Sequence, residues 1–157
     1  MTKAPKIYIA MACYDSVMIK TMISMTKLVK ELTKAGLEWQ IETVKTPFVS
    51  KARNILTALF LRSKYDYLLF IDADVEFEPE AVIRMLVAKK DIILTPYRVK
   101  LPHDANLVKY TISFPDDKNV PILPGDLVEI AEGPAGLLLI HRKVFEFLMD
   151  SCPRLKI

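Results

Sequence analysis

The chain has 157 residues, 52% of them hydrophobic and 26% charged, a balance that supports one packed domain and excludes a disordered chain. Two cysteines far apart, Cys13 and Cys152, exclude a disulfide scaffold or a zinc module, and four glycines exclude a Gly-rich phosphate loop. The net charge of +3 is unevenly spread. Residues 1–60 carry nine Lys/Arg against four Asp/Glu and residues 61–157 carry thirteen against fifteen, yet the lysines do not cluster as a nucleic-acid surface requires. No apolar run approaches the ~20 residues of a bilayer span. No signal-peptide core precedes the first strand-like run, so the expected setting is intracellular and cytoplasmic.

Lys6–Ala12 is a short apolar run that predicts a buried strand. Asp15-Ser16 then offers a helix cap, and Val17, Met18, Met22, Met25, Leu28, Val29 and Leu32 recur at helical steps until Gly36. Glu38–Lys45 reads as a second strand. Beyond Pro47, Ser50 could cap a second helix whose stripe is Ala52, Ile55, Leu56, Leu59 and Phe60. Tyr67–Ile71 is the clearest buried strand, and it runs into Asp72-Ala73-Asp74. Pro79 opens a helix over Glu80–Lys90, followed by a strand over Asp91–Pro96. Strand-like segments follow at Leu107–Phe114, Leu127–Ile130 and Leu137–Ile140, with a last helix over Lys143–Met149.

Strands and helices alternate as far as Pro96, which predicts an α/β fold with a mostly parallel central sheet flanked by helices. Ligands of such sheets bind beyond the carboxyl ends of the strands. That places the site among Ala12–Asp15, Lys45–Ser50, Asp72–Glu78 and Pro96–Asp104. After Pro96 prolines interrupt the chain, so residues 1–96 read as a nucleotide-binding half and 97–157 as an acceptor-side half.

Asp72, Asp74, Glu76, Glu78 and Glu80 are five acids within nine residues. Glu78 and Glu80 suit the start of the following helix. Asp72 and Asp74 directly continue an apolar strand, where hard carboxylate oxygens suit Mg²⁺ or Mn²⁺, especially when phosphates complete the shell.

Asp72-Ala73-Asp74 after an apolar strand, with Lys51-Ala52-Arg53-Asn54 about twenty residues earlier, resembles the GT-A family of nucleotide-sugar glycosyltransferases. The resemblance covers roughly residues 6–150, including Gly133-Pro134-Ala135-Gly136 before the late strand, and is nearest in flavour to compact phage and large-virus members. It implies a Rossmann-like GT-A sandwich and a metal-dependent transferase. Such an enzyme moves a sugar from a nucleoside-diphosphate donor, UDP-linked, to a glycan or small hydroxyl acceptor, in the host cytoplasm if the chain is viral.

On that resemblance, Asp72 would face ribose and metal, Asp74 would hold Mn²⁺ or Mg²⁺ on the diphosphate, and Ala73 would contribute backbone contacts. Ala10, Cys13, Tyr14 and Asp15 would form the base-and-ribose pocket. Arg53, followed by Asn54, would reach the base or diphosphate. Plainer readings stand beside these: Arg53 as a helix-surface arginine, Tyr14 as a half-buried ring, Cys13 as a packing residue. His103 falls on the ligand side of the sheet and His141 at its opposite edge. The family draws a carboxylate base from beyond the last strand–helix pair. Either the chain is a fragment, or the acid comes from Asp116, Asp117, Asp126, Glu129 or Glu132. Two other readings of the motif are a non-catalytic nucleotide- or metal-binding module and a haloacid-dehalogenase-type phosphatase.

Overall fold

A computed structural model of the chain describes residues 4–97, 110–115 and 125–152. In chain order the elements are β1 (Ile7–Cys13), α1 (Ile19–Lys34), β2 (Trp39–Lys45), α2 (Val49–Arg62), β3 (Tyr67–Ile71), α3 (Pro79–Ala88), β4 (Ile92–Leu94), β5 (Leu137–His141) and α4 (Arg142–Ser151). One five-stranded sheet runs β2-β1-β3-β5-β4. β1 pairs parallel with β2 and with β3, whereas β5 pairs antiparallel with both β3 and β4.

The sheet is therefore mixed, which corrects the expectation of a mostly parallel one. Helices α1, α2 and α3 return the chain so that β1 to β4 share a direction. β4 stops one place short of β3, and the late strand fills the gap running the other way. An apolar run such as Leu137–His141 looks the same in either direction, so its sense follows from the partners that receive it.

Alternation along the strands sorts the core onto two faces. Ile7, Ile9, Leu69, Ile71, Leu137 and Leu139 face α1 and α3, where they meet Met25, Leu28, Leu32, Val82 and Met85. Tyr8, Ala10, Leu68 and Phe70 face α2 and α4, where they meet Leu56, Phe60 and Phe145. Every residue of β3 is buried, as its unbroken apolar sequence requires. Truncating Leu68 or Leu69, both fully buried, to alanine would cost about 2–5 kcal/mol.

Several boundaries differ from the sequence expectation. α1 begins at Ile19, and its N-cap position is Met18, with no side-chain cap. Asp15 pairs instead with Lys45, and the Met18 amide donates to the Ala73 carbonyl at 2.9 Å, tying this helix start to the loop after β3. α2 likewise starts at Val49 behind Phe48, not at a Ser50 cap. On α2, Ile55 and Leu59 are partly exposed, and Thr57 takes a buried place by donating its hydroxyl to the Arg53 carbonyl. Segment 127–130 forms no strand, and the bridge Ser113–Glu132 is isolated. Positions 107–109, His103, Asp116 and Asp117 lie outside the described residues.

Candidate functional site

The carboxyl ends of β1, β2 and β3 open on the same edge of the sheet, and the antiparallel β5 brings its amino end there as well. Ile71 stands opposite Leu137, so Asp72 falls beside Gly136. The Asp72 amide extends the ladder by donating to the Gly136 carbonyl at 2.9 Å. On the other side, the Arg53 Nη2 reaches Asp72 Oδ1 at 2.7 Å and lies 3.5 Å from the Ala135 carbonyl. The guanidinium also sits over the Phe70 ring, 5.8 Å from its centre. Asp72 is thus held through its carboxylate by a helix and through its backbone amide by the strand that enters next to it.

The acids of the loop have different partners. Asp72 commits one oxygen to Arg53, and its Oδ2 faces Gly136. Asp74 is exposed two residues on. Glu76 pairs with Lys20 at 3.1 Å and Glu78 with Lys27 at 3.5 Å. Glu78 is the N-cap position of α3 and Glu80 lies in its first turn, as their positions ahead of a helix suggested. Ala73 is half-buried against the core, its carbonyl occupied by Met18.

Tyr97 completes the cluster. A Cβ placed on Gly136 would lie 3.1 Å from Asp72 Oδ2, 3.1 Å from the Tyr97 hydroxyl and 3.0 Å from Tyr97 Cε1. The phenol therefore stands over the glycine and toward the carboxylates. Burial, and then the charges of Asp72 and Asp74, push its pKa above the usual tyrosine value, so the hydroxyl keeps its proton and can donate. Arg53 Nε is buried without a partner.

The other residues expected at the site are placed less uniformly. Cys13, Tyr14 and Asp15 stand at the end of β1, one strand over. Cys13 Sγ donates to the Ser16 carbonyl at 3.2 Å, Tyr14 is exposed, and Asp15 pairs with Lys45 at 2.8 Å. Asn54 is exposed on α2. Ala10 is the correction: it has no exposed surface and packs in the core between β1 and α2, because it lies mid-strand on an inward face. Its side chain cannot line a pocket. Sequence reasoning missed Tyr97, although Pro96–Asp104 follows a strand and carried that signal. His141 is at the far end of β5 from Gly136, where its Nδ1 accepts from the Lys143 amide at 3.1 Å and its ring meets Tyr67 edge-on.

Beside β4 a cavity of about 830 Å³ is lined by Ile93, Leu94, Pro96, Ile130 and Pro134, with Glu129 and Glu132 among its walls. Among the described residues, no group of three or more His, Cys, Asp or Glu is arranged to hold a metal by protein ligands alone. None of the described helices is long and apolar enough to cross a membrane.

No curated protein matches the chain in sequence. Among solved structures, A197 from STIV aligns with a TM-score of 0.56 at 22% identity, over 90% of this chain and 67% of that one, a likeness of fold. A glycosyltransferase involved in the glycosylation of the major capsid of PBCV-1 aligns at TM-score 0.45 and 13% identity, over 95% of this chain and 69% of the other. The 4-diphosphocytidyl-2C-methyl-D-erythritol synthase of Anaerococcus prevotii aligns at TM-score 0.49 and 13% identity, over 99% and 80%. The Anp1 family model matches residues 13–114, a span that includes Arg53, Asp72, Asp74 and Tyr97. With most of its length matched, the chain belongs to the Anp1 family.

Proposed function

We propose that this chain is a GT-A-like, metal-dependent glycosyltransferase that takes a sugar from a UDP-linked nucleoside-diphosphate donor and transfers it to a glycan or small hydroxyl acceptor. The observation that carries the reading is the Arg53–Asp72–Gly136 cluster at the strand ends, with Asp74 exposed beside it. Membership of the Anp1 family supports a nucleotide-sugar-related transferase in general.

The residues present fit Mn²⁺ or Mg²⁺. A hard divalent cation often takes one or two carboxylates from the protein and completes its shell with phosphate oxygens and water. Asp72 Oδ2, the oxygen not held by Arg53, and the exposed Asp74 supply those two. Bound there, the cation would offset the negative charge that builds on the departing nucleoside diphosphate. Arg53 holds Asp72 in place and adds a guanidinium that suits a phosphate oxygen or a base edge. Cys13, Tyr14 and Asp15, at the end of β1, would receive the nucleoside.

Residues 1–96 would then bind the donor and residues 97–157 shape the acceptor site. Glu129 and Glu132, two of the candidate carboxylate bases, line the cavity beside β4 and would belong to that acceptor side. The test is thermal protection and calorimetry with UDP, GDP and their sugar conjugates, with and without Mn²⁺, followed by turnover. A ligand at 100 times its dissociation constant adds about 2.7 kcal/mol of stability. Metal-dependent protection with sugar release supports the reading. Binding without turnover on any acceptor favours a non-catalytic nucleotide-binding module, and no nucleotide binding at all overturns the proposal.

A further inference from the structure

We propose that the outer face of α1 is an interface at which two copies of this chain pack antiparallel about a twofold axis, an inference that does not depend on the transferase reading. The buried stripe of this helix is Thr21, Ser24, Met25, Leu28 and Leu32. Ile19, Ile23 and Lys30, at steps of four and seven residues, share a line on the opposite side. Core packing gives that side no reason to be apolar. Yet Ile19 is 78% exposed, and Met22 and Ile23 are half exposed. With Val17, Thr26 and Lys27 they line one shallow depression of about 330 Å³, so these side chains form one patch and not scattered singles. A contiguous exposed apolar patch with a polar rim marks an interaction surface.

The charges around the patch select its occupant. Acids gather at the amino end of α1: Asp15 and Asp74 are exposed, and Glu76 reaches Lys20 at 3.1 Å. The bond from the Met18 amide to the Ala73 carbonyl brings their loop to this end. Toward the carboxyl end, on the outer side, stand Lys27, Lys30 and Lys34. Lys27 and Lys34 have acidic neighbours in Glu78 and Glu31, whereas no ion pair engages Lys30 among the described residues. A twofold axis passing between Ile23 and Thr26 sets Ile23 against the partner's Thr26. Ile19 then lies under the apolar stem of the partner's Lys30, each about 8 Å along the helix from the axis. The ammonium of that lysine comes level with Glu76, and the symmetry repeats the pair. A parallel copy would set acids against acids. An anionic bilayer would meet the same acids beside the apolar side chains, so a second copy, which brings its own lysines, is the better complement.

The test is sedimentation equilibrium of the full chain across micromolar concentrations, on the parent and on Ile23→Glu, Lys30→Glu, Glu76→Lys and the double variant Lys30→Glu with Glu76→Lys. All three positions are exposed, so the variants keep the fold. The parent should pass from the mass of one chain to that of two as concentration rises. Ile23→Glu, which puts a carboxylate at the centre of the patch, should weaken that association about tenfold or more. Each single charge reversal should weaken it about threefold to tenfold, and the double variant should recover most of the loss, because the opposite charges again face each other across the axis. A parent that stays monomeric throughout overturns the proposal, and binding of that monomer to phosphatidylcholine–phosphatidylglycerol vesicles would assign the patch to a bilayer instead. A dimer indifferent to Ile23→Glu lies on another face and overturns it too. Single reversals that weaken the dimer without recovery in the double variant overturn the antiparallel pairing.

Discussion

Arg53 and Asp72 meet at 2.7 Å through Nη2 and Oδ1, joining α2 to the loop that leaves β3. Both side chains are about a quarter exposed, at 28%, so the pair is neither a screened surface contact nor a fully desolvated one. Its consequence is directional: with Oδ1 engaged, Asp72 has one oxygen left to offer toward Gly136 and Tyr97.

Asp74→Asn should weaken Mn²⁺-dependent nucleotide binding by tenfold or more, about 1.4 kcal/mol, and leave the fold intact because Asp74 is exposed. Calorimetry in metal-replete buffer checks it. Unchanged affinity there removes Asp74 from the metal.

Replacing Arg53 by methionine removes the guanidinium and frees Asp72. Nucleoside diphosphate affinity should fall about tenfold both with and without metal. Arg53→Lys should recover only part of it, since an ammonium cannot reach Asp72 and a phosphate with a fixed fork. A variant that loses thermal stability and keeps its affinity returns Arg53 to a purely structural role.

Arg142, the first residue of α4, carries a structural load. Its guanidinium donates to the carbonyls of Phe60, Leu61, Ser63 and Tyr65 at 2.8–3.2 Å and stacks 4.5 Å from the Phe60 ring centre. These include orphan carbonyls at the end of α2. Arg142→Ala should destabilise the protein by about 2–3 kcal/mol, read by denaturant unfolding, with nucleotide affinity unchanged in the folded fraction. A loss below 0.5 kcal/mol, about the size of an ordinary surface substitution, would show that water replaces these bonds.

Glu38 sets an acid dependence. Hydrogen bonds from Lys6 and then Lys64 hold its pKa at about 2, against 4.5 for the free group. A depressed carboxylate pKa contributes stability above its unfolded value, and that contribution is lost as pH falls through the folded one. The parent should therefore lose stability between about pH 4.5 and pH 2, and Glu38→Gln should lose less across that window. Melting temperatures taken at several pH values test this. Parallel curves for the two proteins would overturn it.

Much of this molecule is written locally. The unbroken apolar run Tyr67–Ile71 is a strand buried on both faces wherever it is placed, and the acids that follow must emerge at its end, so Asp72 and Asp74 were legible without coordinates. The helical steps of Met25, Leu28 and Leu32, and Gly36 at a left-handed turn, are equally local. Tertiary structure decided what depends on partners remote in sequence. Leu137–His141 does not reveal which way it runs, and only its insertion between β3 and β4 makes the sheet mixed and brings Gly136 to Asp72. Ala10 lies mid-strand in β1, and alternation points it at α2 and into the core. Tyr97 and Arg142 find their partners 39 and about 80 residues away. Periodicity reports which face of an element is apolar. It holds nothing about which distant atoms that face will meet, and those meetings make the site.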